Sequence, residues 1–271
     1  MSKVYVVGNF KGGVGKTKVG TMLAYESALH KQRKTLLIDL DPQGNATSIL
    51  AKTGNIDKIE TSITSGFKTG NLKNEIVHIM DNLDLIPSNT SFRNLSKILV
   101  SLFPNDETKQ IFYLDKLIQP LKEIYDAIYI DVPPTISDYS DNAMLAADYC
   151  IIVLQTQELS LDGAQTYIAY MQYLADTYNS ELDVLGLIPM MLRKGGRVDQ
   201  KVLDQAKEMY GSNVLNTIVK YQERLKVYDV EGITVSYNLN GKVDMWDTRA
   251  HQIFIDVLDE LDEHEIMLQN I

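Results

Sequence analysis

The sequence predicts an α/β fold, doubly wound, with a mainly parallel sheet carrying helices on both faces. Three observations lead there. Short runs of Val, Ile and Leu alternate with longer stretches of helical period, the pattern of strands buried on both faces and joined by crossover helices. The first run passes at once into a glycine-rich stretch and then into a helix, and two later runs end in Asp. With 271 residues, 45% of them hydrophobic, the chain can bury one sizeable core. No repeat or low-complexity linker divides it, so residues 1–271 read as a single domain.

Taken in order, the apolar run Val4 to Val7 is the first strand, and residues 16–31 form the first helix, opening where the glycines end. The next strand is Thr35 to Asp39. Residues 52–75, rich in Thr, Ser, Gly, Asn and Lys, read as a surface excursion. Leu83 to Ile86 is a third strand, followed by helices over 91–102 and 108–124. Ala127 to Asp131 and Cys150 to Leu154 are the next two strands, with a helix over 160–178 behind them. Val184 to Ile188 is the last strand, and helices over 199–210 and 247–263 close the chain. Parallel strands joined this way require right-handed crossovers.

Composition excludes several functions. A formal charge of −10 and a pI near 4.9 argue against blanket attraction to nucleic acid or anionic lipid. The single cysteine, Cys150, leaves no intrachain disulfide and no cysteine-based metal site, which suits a reducing cytoplasm. The longest apolar stretch, Val184 to Leu192, falls far short of the ~20 residues a membrane helix needs. The four histidines are scattered without ligand spacing, and Trp246 and Tyr221 read first as packing residues.

The stretch GNFKGGVGKTK, residues 8–18, lies between the first strand and the first helix. Unpaired backbone N–H groups and the positive end of the helix dipole make that a phosphate site. Gly12, Gly13 and Gly15 let the backbone wrap an anion, Lys16 reaches the β and γ phosphates, and the Thr17 hydroxyl ligates Mg²⁺. The pattern G-x-x-x-x-G-K-[ST] is altered here, because Phe10 replaces its first glycine and Lys11 follows. Lys11 adds charge at the phosphates, within the chain or across a dimer, or is simply exposed. Lys11, Gly12, Gly13, Val14, Gly15, Lys16, Thr17 and Lys18 are therefore the candidate nucleotide contacts.

Phosphoryl transfer also needs a metal and an oriented water. The run LLIDLDPQGNAT supplies Asp39 and Asp41, and IYIDVPP supplies Asp131. Asp131 is expected to hold Mg²⁺ through water, and Asp39 to support the metal shell together with Thr17. Val132 stands where many ATPases carry a glutamate after this aspartate, so the attacking water is assigned to Asp41. Lys11, Lys16 and Asp41 are the candidate catalytic residues.

At this point the chain resembles the ParA/MinD family of deviant Walker A ATPases, most closely its Soj-like plasmid and chromosome partition members. The resemblance rests on KGGVGKT with Lys11 as the signature lysine, LLIDLDPQGNATSIL, LDLIPSN, AIYIDVPPT, DNAMLAADYCIIVLQ and TIVKYQERLKVYDVEGITV. It implies a P-loop NTPase that binds ATP and Mg²⁺, and an ATP-bound homodimer in which Lys11 reaches the partner's nucleotide. It further implies nonspecific DNA binding, cytoplasmic and nucleoid-associated localisation, and release by hydrolysis that a ParB-like partner stimulates. Two departures are clear: Lys18 replaces the usual hydroxyl residue, and Lys220, Tyr221, Gln222 and Glu223 stand where the family often has Pro-Arg-Asn-Val. The phosphate loop begins at once, so no N-terminal helix-turn-helix domain is expected.

A MinD-like membrane positioner would end in a basic amphipathic helix, whereas no Lys or Arg follows Arg249 here. GTP recognition would want Asn-Lys-x-Asp, and the glycine in NGKVD at 240–244 spoils that spacing. A nucleotide-gated scaffold without turnover stays open. For DNA, residues 193–226 hold eight basic against four acidic side chains, and Arg193, Lys194, Arg197, Lys201, Lys220 and Arg224 are the candidate contacts.

Overall fold

Alternation along the apolar runs gives each strand two greasy faces, and the chain must cover both. The computed structural model describes residues 2–191, 196–237 and 241–270. It opens with β1 (Lys3–Gly8), α1 (Lys16–Leu29), β2 (Thr35–Asp39), α2 (Asn45–Thr53), α3 (Ile63–Thr69), β3 (Val77–Met80) and β4 (Leu83–Ile86). The middle of the chain forms α4 (Leu95–Leu102), α5 (Glu107–Ile111), α6 (Tyr113–Ile118), β5 (Ala127–Asp131), α7 (Asp138–Ala146), β6 (Tyr149–Gln155) and α8 (Glu158–Tyr178). It ends with β7 (Asp183–Met191), α9 (Arg197–Tyr210), β8 (Val219–Lys220), α10 (Glu223–Glu231) and α11 (Met245–Gln269).

The described strands form one sheet in the order β3-β4-β2-β5-β1-β6-β7-β8, parallel throughout except for the β3–β4 edge pair. On one face Val4, Val6, Leu36, Ile38, Ile128 and Ile130 pack under α4, α6, α7 and α8. On the other, Tyr5, Val7, Leu37 and Tyr129 pack under α1, α2, α10 and α11. The period of two along each strand is what divides the core this way. β1 lies between β5 and β6, so the chain leaves it toward β2 on one side and later returns to fill the other. Ligands of open α/β sheets bind at the carboxyl edge of such a switch point.

Two expectations are corrected. The segment 52–75 is not a surface excursion throughout, because Ile63 and Phe67 on α3 are completely buried against Phe92 and Tyr113. Gly66 fits that packing, since a Cβ there would lie 2.6 Å from Leu72 Cδ2. The single helix expected over 108–124 is two short ones. The Asn142 side chain accepts the Leu114 N–H at 3.1 Å, entering the ladder at the break.

Candidate functional site

β1 delivers the glycine stretch to the carboxyl edge of the sheet, and α1 starts on the far side of it. Gly13 (φ +75°) and Gly15 (φ +95°) adopt left-handed backbone that other residues resist. A Cβ on Gly15 would also press to 2.9 Å from Met190 Sδ. Val14 turns inward and is buried, which anchors the loop to the core. Lys16 is buried as well, and its ammonium makes one long bond, 3.4 Å to the Lys11 carbonyl. Burial pulls the Lys16 pKa down despite Asp131 and Asp41 nearby. Among the described residues no carboxylate forms an ion pair with this ammonium, although Asp131 and Asp41 act on it from nearby.

β2 and β5 run side by side with Asp39 opposite Asp131. Thr17 Oγ1 donates to Asp131 Oδ2 at 2.8 Å, while Asp131 Oδ1 is buried with no hydrogen-bond partner among the described residues. Burial first, and the neighbouring Asp39 charge second, hold Asp131 well above the usual carboxylate range, although Thr17 and Lys16 oppose this. Burial likewise pushes Asp39 up to about 7, against its bonds from Thr47. An orphaned carboxylate oxygen beside a threonine hydroxyl fits Mg²⁺, which keeps several waters and needs few protein ligands. The described residues contain no cluster of three or more His, Cys, Asp or Glu able to hold a metal.

Asp39 itself is taken by the protein. Its Oδ1 accepts the Asp41 N–H at 3.0 Å, and its Oδ2 accepts the Thr47 N–H at 2.9 Å and hydroxyl at 2.7 Å. Instead of facing a metal directly, Asp39 shapes the 40–47 turn that carries Asp41, and sequence reasoning had no signal for the Thr47 bonds. Asp41 Oδ1 accepts the Gln43 N–H at 2.9 Å. It opens with Gly13, Lys16, Thr17 and Val132 into a cavity of about 650 Å³.

Lys11 points to the start of α8, its ammonium 3.2 Å from Gln157 Oε1 and 3.0 Å from Ser160 Oγ. Lys18 reaches sideways to α10, bonding the Leu225 carbonyl and, at 2.6 Å, Asp229 Oδ2. Gly12 lies beside Pro134 without contact closer than 3.8 Å for an added Cβ.

Among the basic residues singled out for DNA, Arg193 and Lys194 lie outside the described residues, and Arg197, Lys201 and Lys220 are exposed. Arg224 departs from expectation, because its guanidinium is committed to Asp247, with Nη2 at 2.7 Å from Oδ2. Asp247 is completely buried and also accepts from Tyr228 OH at 2.5 Å and Ser236 N–H at 2.7 Å. Arg224 therefore ties α10 to α11. Removing one partner of a buried pair strands the other charge, so Arg224→Ala is expected to lower unfolding stability by about 3 kcal/mol in urea titration. A change below ~0.5 kcal/mol, the level of an ordinary surface substitution, would return Arg224 to the free surface.

A glycine-rich loop at the switch point of a parallel sheet, backed by a threonine and a buried aspartate, is the construction of a P-loop NTPase. The family model described as AAA domain (AAA_31) matches residues 2–184. The chromosome-partitioning ATPase Soj of Treponema pallidum is 30% identical over 236 residues, covering 87% of this chain and 90% of that protein. An uncharacterized protein of Methanocaldococcus jannaschii is 32% identical over 213 residues, 76% of this chain and 80% of that one. In fold, apo McdA of Cyanothece superposes with a TM-score of 0.79 at 21% identity, over 97% of this chain and 99% of that one. A putative plasmid partition protein of Borrelia burgdorferi bound to AMPPNP gives 0.73 at 24% identity, with both chains covered in full. The chain belongs to the ParA/MinD family of partition ATPases.

Proposed function

We propose that this protein is an ATP-dependent DNA partition ATPase whose ATP-bound homodimer holds DNA without sequence preference and is released by partner-stimulated hydrolysis. The observation that carries the proposal is the convergence of Lys16, Thr17 and Asp41 on one cavity beside the loop, with the buried Asp131 bonded to the Thr17 hydroxyl. The loop amides and Lys16 bind and orient the triphosphate. Thr17 and, through water, Asp131 would hold Mg²⁺, which when bound would neutralise charge on the β and γ phosphates. Asp41 orients the attacking water, since Val132 cannot. Lys11 leaves Gln157 and Ser160 to reach the partner's phosphates, exchanging two neutral acceptors for anionic phosphate oxygens.

Arg193, Lys194, Arg197, Lys201 and Lys220 are the proposed phosphate contacts. Because the whole chain carries −10, the contact is weak in one subunit and needs two patches side by side, which makes it dependent on the ATP dimer. No described helix is long and apolar enough to cross a membrane. The test is a salt titration of DNA binding with ATP, with ADP and without nucleotide. ATP is expected to strengthen binding to unrelated sequences alike, and Lys11→Ala to remove that gain together with the ATP-dependent dimer in sedimentation. Arg197→Ala and Lys201→Ala should each lower the salt slope by about one unit. Binding that ignores nucleotide state would overturn the partition reading.

A further inference from the structure

Two cavities flank the phosphate loop. The larger, about 650 Å³, contains Lys16, Thr17 and Asp41 and is the phosphate end. The smaller, about 210 Å³, is walled by Val14, Met190, Tyr221 and Leu225, an apolar and aromatic surface suited to a flat base. Gly13, Gly15, Lys18 and Asp229 line both. In a nucleotide the sugar joins phosphates to base, so it crosses the junction that these four residues make. The two glycines offer only backbone there, and the polar side chains at the crossing are Lys18 and Asp229.

We propose that Asp229, steadied by Lys18, reads the sugar of the bound nucleotide and makes the site selective for ribonucleotides over deoxyribonucleotides. The proposal rests on the ATP reading above and names the specificity of that same site. Lys18 Nζ holds Asp229 Oδ2 at 2.6 Å, and the carboxylate keeps 47% of its side-chain surface exposed. An ionised carboxylate only accepts hydrogen bonds, and a sugar hydroxyl donates them. Alone, that carboxylate would repel an incoming polyphosphate; the Lys18 ammonium, one residue beyond Thr17, screens it and offers a positive charge to the phosphate nearest the sugar. The Lys52 ammonium fixes the same turn of α10 by bonding the Asp229 carbonyl at 3.1 Å, so the carboxylate is carried on a wall braced from both α1 and α2. This also accounts for Lys18, the residue that departs from the hydroxyl usual at its position.

Calorimetry with Mg-ATP and Mg-2′-deoxy-ATP on the full chain tests this. A hydrogen bond to a charged group supports a preference for ATP of about tenfold or more in the wild type. Asp229→Ala is expected to weaken ATP and bring the ratio close to one. Asp229→Asn retains an accepting oxygen without the charge, so its ratio falls between the two; this variant also serves if the alanine variant does not fold. Lys18→Thr should weaken both nucleotides through the lost charge near the phosphates and lower the ratio only in part, because the Asp229 carboxylate stays but loses its brace. Equal wild-type affinities, or a wild-type ratio surviving in Asp229→Ala, overturn the proposal alone. Failure of Mg-ATP to bind the wild type overturns the ATP reading and this proposal with it.

Discussion

Lys16→Ala abolishes detectable Mg-ATP binding in calorimetry, an expected loss of at least ~100-fold, while the variant unfolds close to the wild-type midpoint. The first half follows from position: a buried ammonium at the mouth of a helix dipole, aimed among loop amides, is worth several kcal/mol to a polyphosphate. The second half follows from what Lys16 lacks. Its one hydrogen bond in the free chain is 3.4 Å long, and burial already depresses its pKa, so removing it relieves a cost of folding. Loss of ligand without loss of fold is the signature of a binding residue. Wild-type affinity in this variant would move the nucleotide to another site.

Much of the fold was legible because its strands are buried on both faces. β1, β2, β5, β6 and β7 each contain an uninterrupted apolar run, β4 has one broken only by Asp84, and the expected bounds fall within all six. β3 and β8 gave no such signal: β3 is an edge strand with His78 exposed, and β8 has two residues. α10 was missed because only Leu225 and Tyr228 of its nine residues are buried, too few to mark a period. α3 hid behind its polar neighbours, although Ile63 and Phe67 stand four apart as a helix face requires.

The site divides along the same line. The loop residues are neighbours in the sequence, so their proximity is legible without knowledge of packing. Arg224 was counted as surface charge, and its partner Asp247 lies 23 positions away on another helix. Lys18 and Asp229 are 211 positions apart. Charge counting cannot tell a paired cation from a free one, because pairing is a property of packing and not of composition. Asp39 shows the subtler version. Its position at a strand end is the same whether it serves a metal or a turn, and only the two bonds from Thr47 decide between them.

Asp41 is where binding and turnover should separate. It is nearly buried yet opens into the phosphate cavity, and one of its oxygens is engaged by the Gln43 N–H. Asp41→Ala removes no phosphate contact, so ATP affinity is expected to stay within about threefold of wild type, the scale of a lost rim interaction. A positioned base contributes 10²–10⁴-fold to such reactions, so single-turnover phosphate release should slow by about 100-fold or more. An ATP-bound dimer that outlives the wild type in sedimentation is the physical consequence. Because Asp41 also shapes its own turn, Asp41→Asn is the sharper variant: the amide oxygen still accepts from Gln43 and preserves the loop, but it takes no proton from water. If the asparagine variant hydrolyses ATP at the wild-type rate while the alanine variant is slow, Asp41 acts through loop geometry alone. If both turn over normally, the water is oriented by another group on the cavity wall. Slow release in both, with ATP still bound, assigns the step to the Asp41 carboxylate.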